Sequence, residues 1–325
     1  MESRWRVLLG LSFSALALIA SRAFPAAIEP ELSATRGPAN FQGWKADAAI
    51  SQDEFILTPA YSSFSSDLTS GTFRTISARA GFQGPQAGGG LTIGGTPEVD
   101  GYSNTFVRID GRAAFDPAAS EDAGSFPACR DDKPCLRLGA SLSHIEHQDQ
   151  FAAATSATAG RSPFRIIRRT TGALHLGQTD LGADARLYAA RTAVSGFLTK
   201  SFYDKNLSAV SARVFALPDL GGLASLIELF PDFSAGLNVQ NYSLDPLEPF
   251  LSLSHTTFEL TNPATAATAG FDVAWGRLIL TASYTFYVQS GIPGLPTDQN
   301  YYTLGARASF GGKERTPSKD PEAVP

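Results

Sequence analysis

Residues 277–288 constrain this chain more than any other stretch. Leu278, Leu280, Ala282, Tyr284, Phe286 and Val288 alternate with Ile279, Thr281, Ser283 and Thr285. Successive side chains of a β-strand point to opposite faces, so a strand here carries one greasy face and one face rich in hydroxyls. The same period runs through Gly71–Phe82, where Ile76, Ala78, Ala80 and Phe82 oppose Thr75, Ser77, Arg79 and Gly81. In Asn104–Phe115, Val107, Ile109, Ala113 and Phe115 oppose Arg108, Asp110 and Arg112. It returns over Cys135–Ile145 and Leu181–Arg191, and further strands are expected over Phe164–Leu176 and Leu207–Leu217, with Gly84–Gly90 read as a Gly-rich turn and Gly177–Asp180 as a short one. Each run is about ten residues, the length a tilted strand needs to cross a bilayer.

Counted along the chain, such runs give about 12–14 strands in one domain, with no repeat of fixed period and no linker. Gly 30 and Pro 20 are many breakers for a helical protein and suit a chain of many turns. A mean hydropathy of −0.05 is what a barrel with a polar interior is expected to show. Alternation alone also fits a soluble sandwich, because both folds have one apolar face. The position of the aromatic residues separates them.

The last run is Asn300–Phe310, with Tyr302, Leu304, Ala306, Ala308 and Phe310 on one face and Tyr301, Thr303, Gly305, Arg307 and Ser309 on the other. Within it, Thr303-x-Gly305-x-x-Ala308-x-Phe310 resembles the polar-x-Gly-x-x-apolar-x-aromatic signature that closes bacterial outer-membrane β-barrels and is read by their insertion machinery. The resemblance covers the last strand and names no substrate. It implies an all-β, transmembrane antiparallel barrel in the bacterial outer membrane, with the lipid bilayer and that machinery as partners. It also implies that the last strand ends in the periplasm. Counting back, the strands ending at Trp275, Phe115 and Phe82 then descend to the same rim as Phe310, and four aromatics on the apolar face form a girdle at the lipid interface. The same count puts Trp275-Gly276-Arg277, Asp245–Glu248 and Asp204–Asn206 at the periplasmic rim as short turns. The longer stretches 146–162, 218–231 and 289–298 fall outside.

Residues 1–23 read as a secretory signal: Arg4 and Arg6, then the apolar run Val7–Ala20, then small residues at Ser21-Arg22-Ala23. The apolar run is too short to span a bilayer as a helix. Residues 24–53 read as an irregular periplasmic lead-in, 54–310 as the barrel and 311–325 as a disordered, charged tail. In an exported chain Cys129 and Cys135 read as a disulfide that pinches a small loop. The formal net charge is −5, and three of the four charged residues in 1–23 are Arg, so removing the signal makes the chain more acidic. Nucleic acid is not an expected partner.

If the apolar face meets lipid, the inward face carries Arg79, Arg108, Asp110, Arg112, Arg137, Asp184, Arg186, Arg213, Asp272, Arg277 and Arg307. In a narrow barrel these side chains pair into a plug; in a wider one they line a passage with a mildly anion-favouring field. No cofactor, metal site or catalytic residue is expected: His144-Ile145-Glu146-His147 lacks the HExxH spacing, and no phosphate loop is present. Ser141 and Ser143 beside His144, and Ser252 and Ser254 beside His255, are the groupings that a lipid-modifying hydrolase would use. The leading expectation is a pore or exporter for hydrophilic solutes or polymers, an exporter adding periplasmic export components as partners. A lipid-modifying enzyme and an adhesive barrel displaying its loops are the alternatives. Between Pro218 and Pro231 the spacing predicts one short helix, Leu220–Phe230.

Overall fold

In a computed structural model, fourteen antiparallel strands close on themselves. The structure describes residues 27–67, 69, 71–84, 86–99, 101–115, 135–149, 153–156, 168–171, 174–205, 207, 230–244, 246–259, 261–290 and 296–310. The first strands are β1 (Ala27–Arg36), β2 (Gln42–Gln52), β3 (Phe55–Ser65), β4 (Phe73–Gln83), β5 (Ala87–Val99), β6 (Tyr102–Phe115) and β7 (Cys135–Asp149). A small hairpin follows, β8 (Ala153–Ser156) with β9 (Arg168–Thr171), paired only with each other. The wall resumes with β10 (Leu174–Ala189), β11 (Thr192–Tyr203), β12 (Pro231–Asn241), β13 (Leu247–Phe258), β14 (Ala264–Trp275), β15 (Leu278–Gln289) and β16 (Asp298–Ala308). Each strand pairs with its neighbour in sequence, β10 with β7, and β16 returns to β1.

Closure is made at the strand whose pattern resembles the outer-membrane signature. Glu31 pairs with Arg307 and Ala34 with Leu304. Below them, Ile28 N–H donates to Phe310 O at 2.7 Å, and Phe310 N–H donates to Ile28 O at 2.8 Å. The chain's two ends therefore meet at one rim, here the termini end; the opposite rim is the far end.

The direction of the faces follows from exposure. Leu304 is 67% exposed, and Leu251, Ile109, Leu32 and Leu253 all exceed half. Their faces look outward, so no second sheet covers them and the wall is apolar toward its surroundings. Water would penalise such a surface, and lipid would not. The opposite face, with Thr281, Ser283, Arg79 and Asp110, looks inward.

Several sequence expectations need correction. Residues 24–53 are not a lead-in, for 27–52 supply β1 and β2, each about as long as the strands that follow. Gly84–Gly90 is not all turn: Gly88, Gly89 and Gly90 lie within β5 and pair with Gln83, Phe82 and Gly81. Gly177–Asp180 is not a turn between two strands but part of β10, paired with β7 from Leu174 to Tyr188. The strand expected over Phe164–Leu176 divides instead between β9 and the start of β10, with 164–167 and 172–173 outside the described residues. Asp204 and Lys205 follow the far end of β11, the rim opposite to the one expected. β12 pairs with β11 directly, so the strand expected at Leu207–Leu217 does not stand between them in the wall. The helix expected at Leu220–Phe230 lies outside the described residues except for Phe230, as do residues 1–23, the 311–325 tail, Arg213 and Cys129.

Local chemistry explains the irregularities. The pairing of β2 with β3 breaks off between Asp47↔Ala60 and Ile50↔Leu57, opposite Pro59, which has no N–H to give. At the termini end, Ala190 and Arg191 both take positive φ (47° and 59°) between the paired Ala189 and Thr192. That is the two-residue turn whose twist matches the flanking strands.

The outward face yields a direct prediction. Leu304→Arg places a charge in the lipid-facing band and should cost about 2–4 kcal/mol in urea unfolding from phospholipid vesicles. Ser283→Arg, on the inward face of the adjacent strand, should cost far less.

Candidate functional site in the barrel lumen

Of the candidate lining residues, Arg79, Arg108, Asp110, Arg112, Arg137, Asp184, Arg186, Asp272 and Arg307 fall on inward positions of their strands. Arg79 pairs in register with Thr92, Thr92 with Arg108, Arg108 with Ser143 and Ser143 with Asp180. Directly paired residues share a face, which fixes all of them inward. Arg277 stands in the β14–β15 turn at the termini end rather than in the wall.

Four inward charges escaped the sequence reading because they lie on β1 and β2: Glu29, Glu31, Lys45 and Asp47. Glu31 stands between Asp47 on one side and Arg307 on the other, and Lys45 Nζ bridges Asp47 Oδ2 at 3.1 Å. Asp180 and Glu248 join the inward face as well, paired in register with Ser143 and Asp272. Ala46, Ala48 and Ala49 flatten the contrast between the two faces of β2, and this hid its period.

Around the wall the described charges divide by sign. On β4, β6, β7 and β10 five arginines face three aspartates, at 110, 180 and 184. On β1, β2, β13, β14 and β16 five carboxylates (Glu29, Glu31, Asp47, Glu248 and Asp272) face Lys45 and Arg307. One side of the lumen is basic and the opposite side acidic, so a field crosses the passage from wall to wall.

Glycines set the geometry on the basic side. Arg79 on β4 reaches Asp110 on β6 across β5, with Nη2 2.7 Å from Oδ2 and Nε 3.2 Å from Oδ1. Its guanidinium lies flat over Gly90, where a Cβ would stand 2.8 Å from Cζ, Nε and Nη2. The glycine run of β5 is therefore the floor under an arginine. Asp184 lies likewise over Gly139, where a Cβ would come within 2.2 Å of Oδ1. On the acidic side Asp272 accepts from Thr281 Oγ1 at 2.6 Å and from Gln240 Nε2 at 3.2 Å. Gln240 Oε1 in turn accepts from Tyr242 OH at 3.0 Å, and Tyr242 OH accepts from Arg186 Nη2 at 3.1 Å. This line of hydrogen bonds joins β10 to β15 and ties the two sides together.

Both serine–histidine groupings are split by the sheet. Ser141 and Ser143 face inward; His144 faces outward, bonded to Thr179 Oγ1 at 3.1 Å and Glu146 Oε1 at 3.2 Å. Ser252 and Ser254 face inward and His255 outward, against Thr265 Oγ1 at 2.9 Å. Adjacent residues of a strand cannot make a nucleophile–base pair through the wall. No group of three or more metal-ligating side chains comes together among the described residues.

Phe82, Phe115, Trp275 and Phe310 are all outward and at least half exposed, at the termini end. Phe55, 67% exposed and paired with Phe82, stands with them. Cys135 is buried against Tyr188, Ala193 and Tyr242 at the same end.

The glycine floor is testable. Gly90→Ala should push Arg79 away from Asp110 and cost about 1.5–3 kcal/mol in urea unfolding, the range for hydrogen bonds to a charged group. Asp110→Ala on top of it should add little, because the pair is already broken.

No family model matches the chain, and none of the curated proteins does. Solved structures do. CdiB from Acinetobacter baumannii is matched with TM-score 0.45 and 10% identity over 87% of this chain and 60% of that one, so the chain spans about three fifths of its length. The NanC porin is matched with TM-score 0.44 and 6% identity over 86% of this chain and 98% of that one. For OmpT, an outer membrane protein of Vibrio cholerae, the values are 0.42 and 8% over 88% and 98%. These likenesses are distant, and the chain is a closed antiparallel β-barrel by its own strand pairing.

Proposed function

We propose that this protein is an outer-membrane channel that passes hydrophilic solutes between its basic and acidic walls. The observation that carries this reading is the sorting of chemistry by face: outward leucines and phenylalanines, inward arginines and carboxylates. Asp184 is inward and exposed, and the middle of the wall is half-buried, as expected of side chains that border water. Eight strands enclose little more than side chains, whereas 16 to 18 enclose an aqueous channel; at fourteen the interior lies nearer the second case.

The resemblance of the last strand orients the barrel, with the termini end in the periplasm and the far end outside. Short turns at 53–54, 190–191 and 276–277 and the long connections 150–173 and 204–230 fit that orientation. In this reading residues 1–23 direct export and are removed, insertion machinery reads Gly305, Ala308 and Phe310, and Phe82, Phe115, Trp275 and Phe310 rest at the inner lipid interface. In the same reading Cys135 is joined to Cys129 within the one long termini-end connection, 116–134.

Because the two walls oppose each other, current through the barrel should respond to each with opposite sign. In planar bilayers under a salt gradient, Arg108→Ala with Arg112→Ala should move the reversal potential toward cation preference. Asp47→Asn with Glu31→Gln should move it toward anions. Shifts of one sign in both variants, or none, would remove the wall-to-wall charge division as the basis of selectivity. A folded, inserted protein that never conducts, even with its mouth residues cut back, would end the channel reading.

A further inference from the structure

The far end of the inward face differs from the middle. On β15, Tyr287 is 4% exposed while Thr281 and Ser283 below it are half-buried. On β4, Phe73 is 1% exposed while Arg79 six residues below it is half-buried. A side chain that points into an open, water-filled lumen cannot be covered to that degree. These rings pack against one another. Tyr287 meets Tyr301 edge-on (centroids 6.4 Å, 89°), and Tyr301 meets Phe41 (5.6 Å, 82°). Phe41 stacks on Phe64 (6.1 Å) and Phe64 on Phe73 (5.1 Å, 6°), and Phe73 leans on Tyr102 (6.2 Å).

The line of rings continues from Tyr102 through His147 on β7 to Phe230 at the head of β12, and then to Tyr203 on β11. On the remaining arc Ala264 and Ala266 of β14 belong to the same packed cluster, with Phe258 of β13 against it. Apolar side chains from strands on every side of the mouth thus enter this level. The polar atoms of this belt are satisfied within it: Tyr287 OH donates to Gln289 Oε1 at 2.7 Å and Tyr301 OH to Gln299 Oε1 at 2.6 Å. His147 binds Tyr102 OH through Nδ1 at 2.9 Å and Gln178 Oε1 through Nε2 at 3.0 Å.

One ring enters from a turn rather than a strand. Phe41 belongs to the β1–β2 turn, closed by Gly37 N–H to Phe41 O at 3.1 Å and Phe41 N–H to Pro38 O at 3.0 Å. Gly37 lies under the Tyr301 ring, where a Cβ would come within 2.3 Å of it. At the rim this turn is latched to the β3–β4 turn: Asn40 Nδ2 donates to Asp67 Oδ2 at 2.7 Å, and Asp67 N–H donates to Ala39 O at 2.8 Å. Asn40 and Asp67 are exposed, so solvent reaches the latch directly.

We propose that the belt is a gate. Packed as described it shuts the far mouth, and solute passes only when the rings part, with the Phe41 turn as the piece that swings away once the Asn40–Asp67 latch opens. A ring of apolar side chains holds back water and ions by excluding them, so a small separation of the rings converts a dry mouth to a wet one. The proposal rests on the channel reading and deepens it by naming what controls passage.

Planar-bilayer recording of the full-length chain tests it, with heat-modifiable migration as the check that each variant is folded. The unaltered protein should be closed for most of the record. Phe64→Ala with Phe73→Ala, which empties the stacked pair, should raise mean current about ten-fold, as expected when an apolar constriction becomes wet. Asn40→Ala with Asp67→Ala leaves every ring in place and should raise open probability without changing the current of the open state. Unaltered protein that conducts steadily, at the same mean current as both variants, would overturn the gate and leave the channel standing. Silence from all three folded proteins would overturn the gate and the channel together.

Discussion

A backbone in hydrocarbon has no water to satisfy its N–H and C=O groups, so a sheet in lipid must end where it begins. The pairing of β1 with β16 meets that demand, carried to the rim by the reciprocal bonds of Ile28 and Phe310. Everything else in the architecture is a consequence. Closure makes an inside, and period-2 alternation then assigns each residue to lipid or lumen with no intermediate choice. The sorting is strict enough to separate neighbours: Ser143 and His144 stand on opposite sides of one wall.

Inside the wall, what a side chain can reach depends on what its neighbour lacks. Arg79 spans a whole strand to Asp110 because Gly90 leaves room, and Asp184 lies down over Gly139 for the same reason. The glycines contribute nothing chemically, yet they decide which charges meet. Toward the far end the wall changes from arginine and carboxylate to phenylalanine and tyrosine, and the interior changes from half-buried to dry. Charge and aromatic packing thus occupy different levels of one tube.

Much of this was legible in the sequence. Leu278–Val288 and Asn300–Phe310 declared their faces because large apolar residues alternate there with hydroxyls and arginine. β2 did not, since Ala46, Ala48 and Ala49 look alike from either side, and so Lys45 and Asp47 went unnoticed. Gly88–Gly90 read as a turn because a glycine run carries no period; the role of Gly90 as a floor depends on an arginine eleven residues away in sequence and one strand away in space. The aromatic belt was hidden for another reason. Phe41, Phe64 and Phe73 sit where strands end and turns begin, and each looks unremarkable alone. A spacing that does repeat is Tyr287-x-Gln289, Gln299-x-Tyr301 and Gln240-x-Tyr242: an amide two residues from a phenol on the same face, a pattern that marks tyrosines destined for a dry interior.

The seam between β1 and β16 carries a cost in time. Thr35 and Thr303, hydrogen-bonded across it at 2.9 Å, are 268 residues apart, whereas the other wall strands meet partners that follow closely in the chain. Hairpins form early because little chain entropy opposes them, and the last join must wait until the whole ribbon has curled. Until then both edges stand open, each a row of unpaired peptide groups able to capture another chain. A barrel assembled in this order is most vulnerable just before completion, and its first and final strands are where assistance in folding has the most to gain.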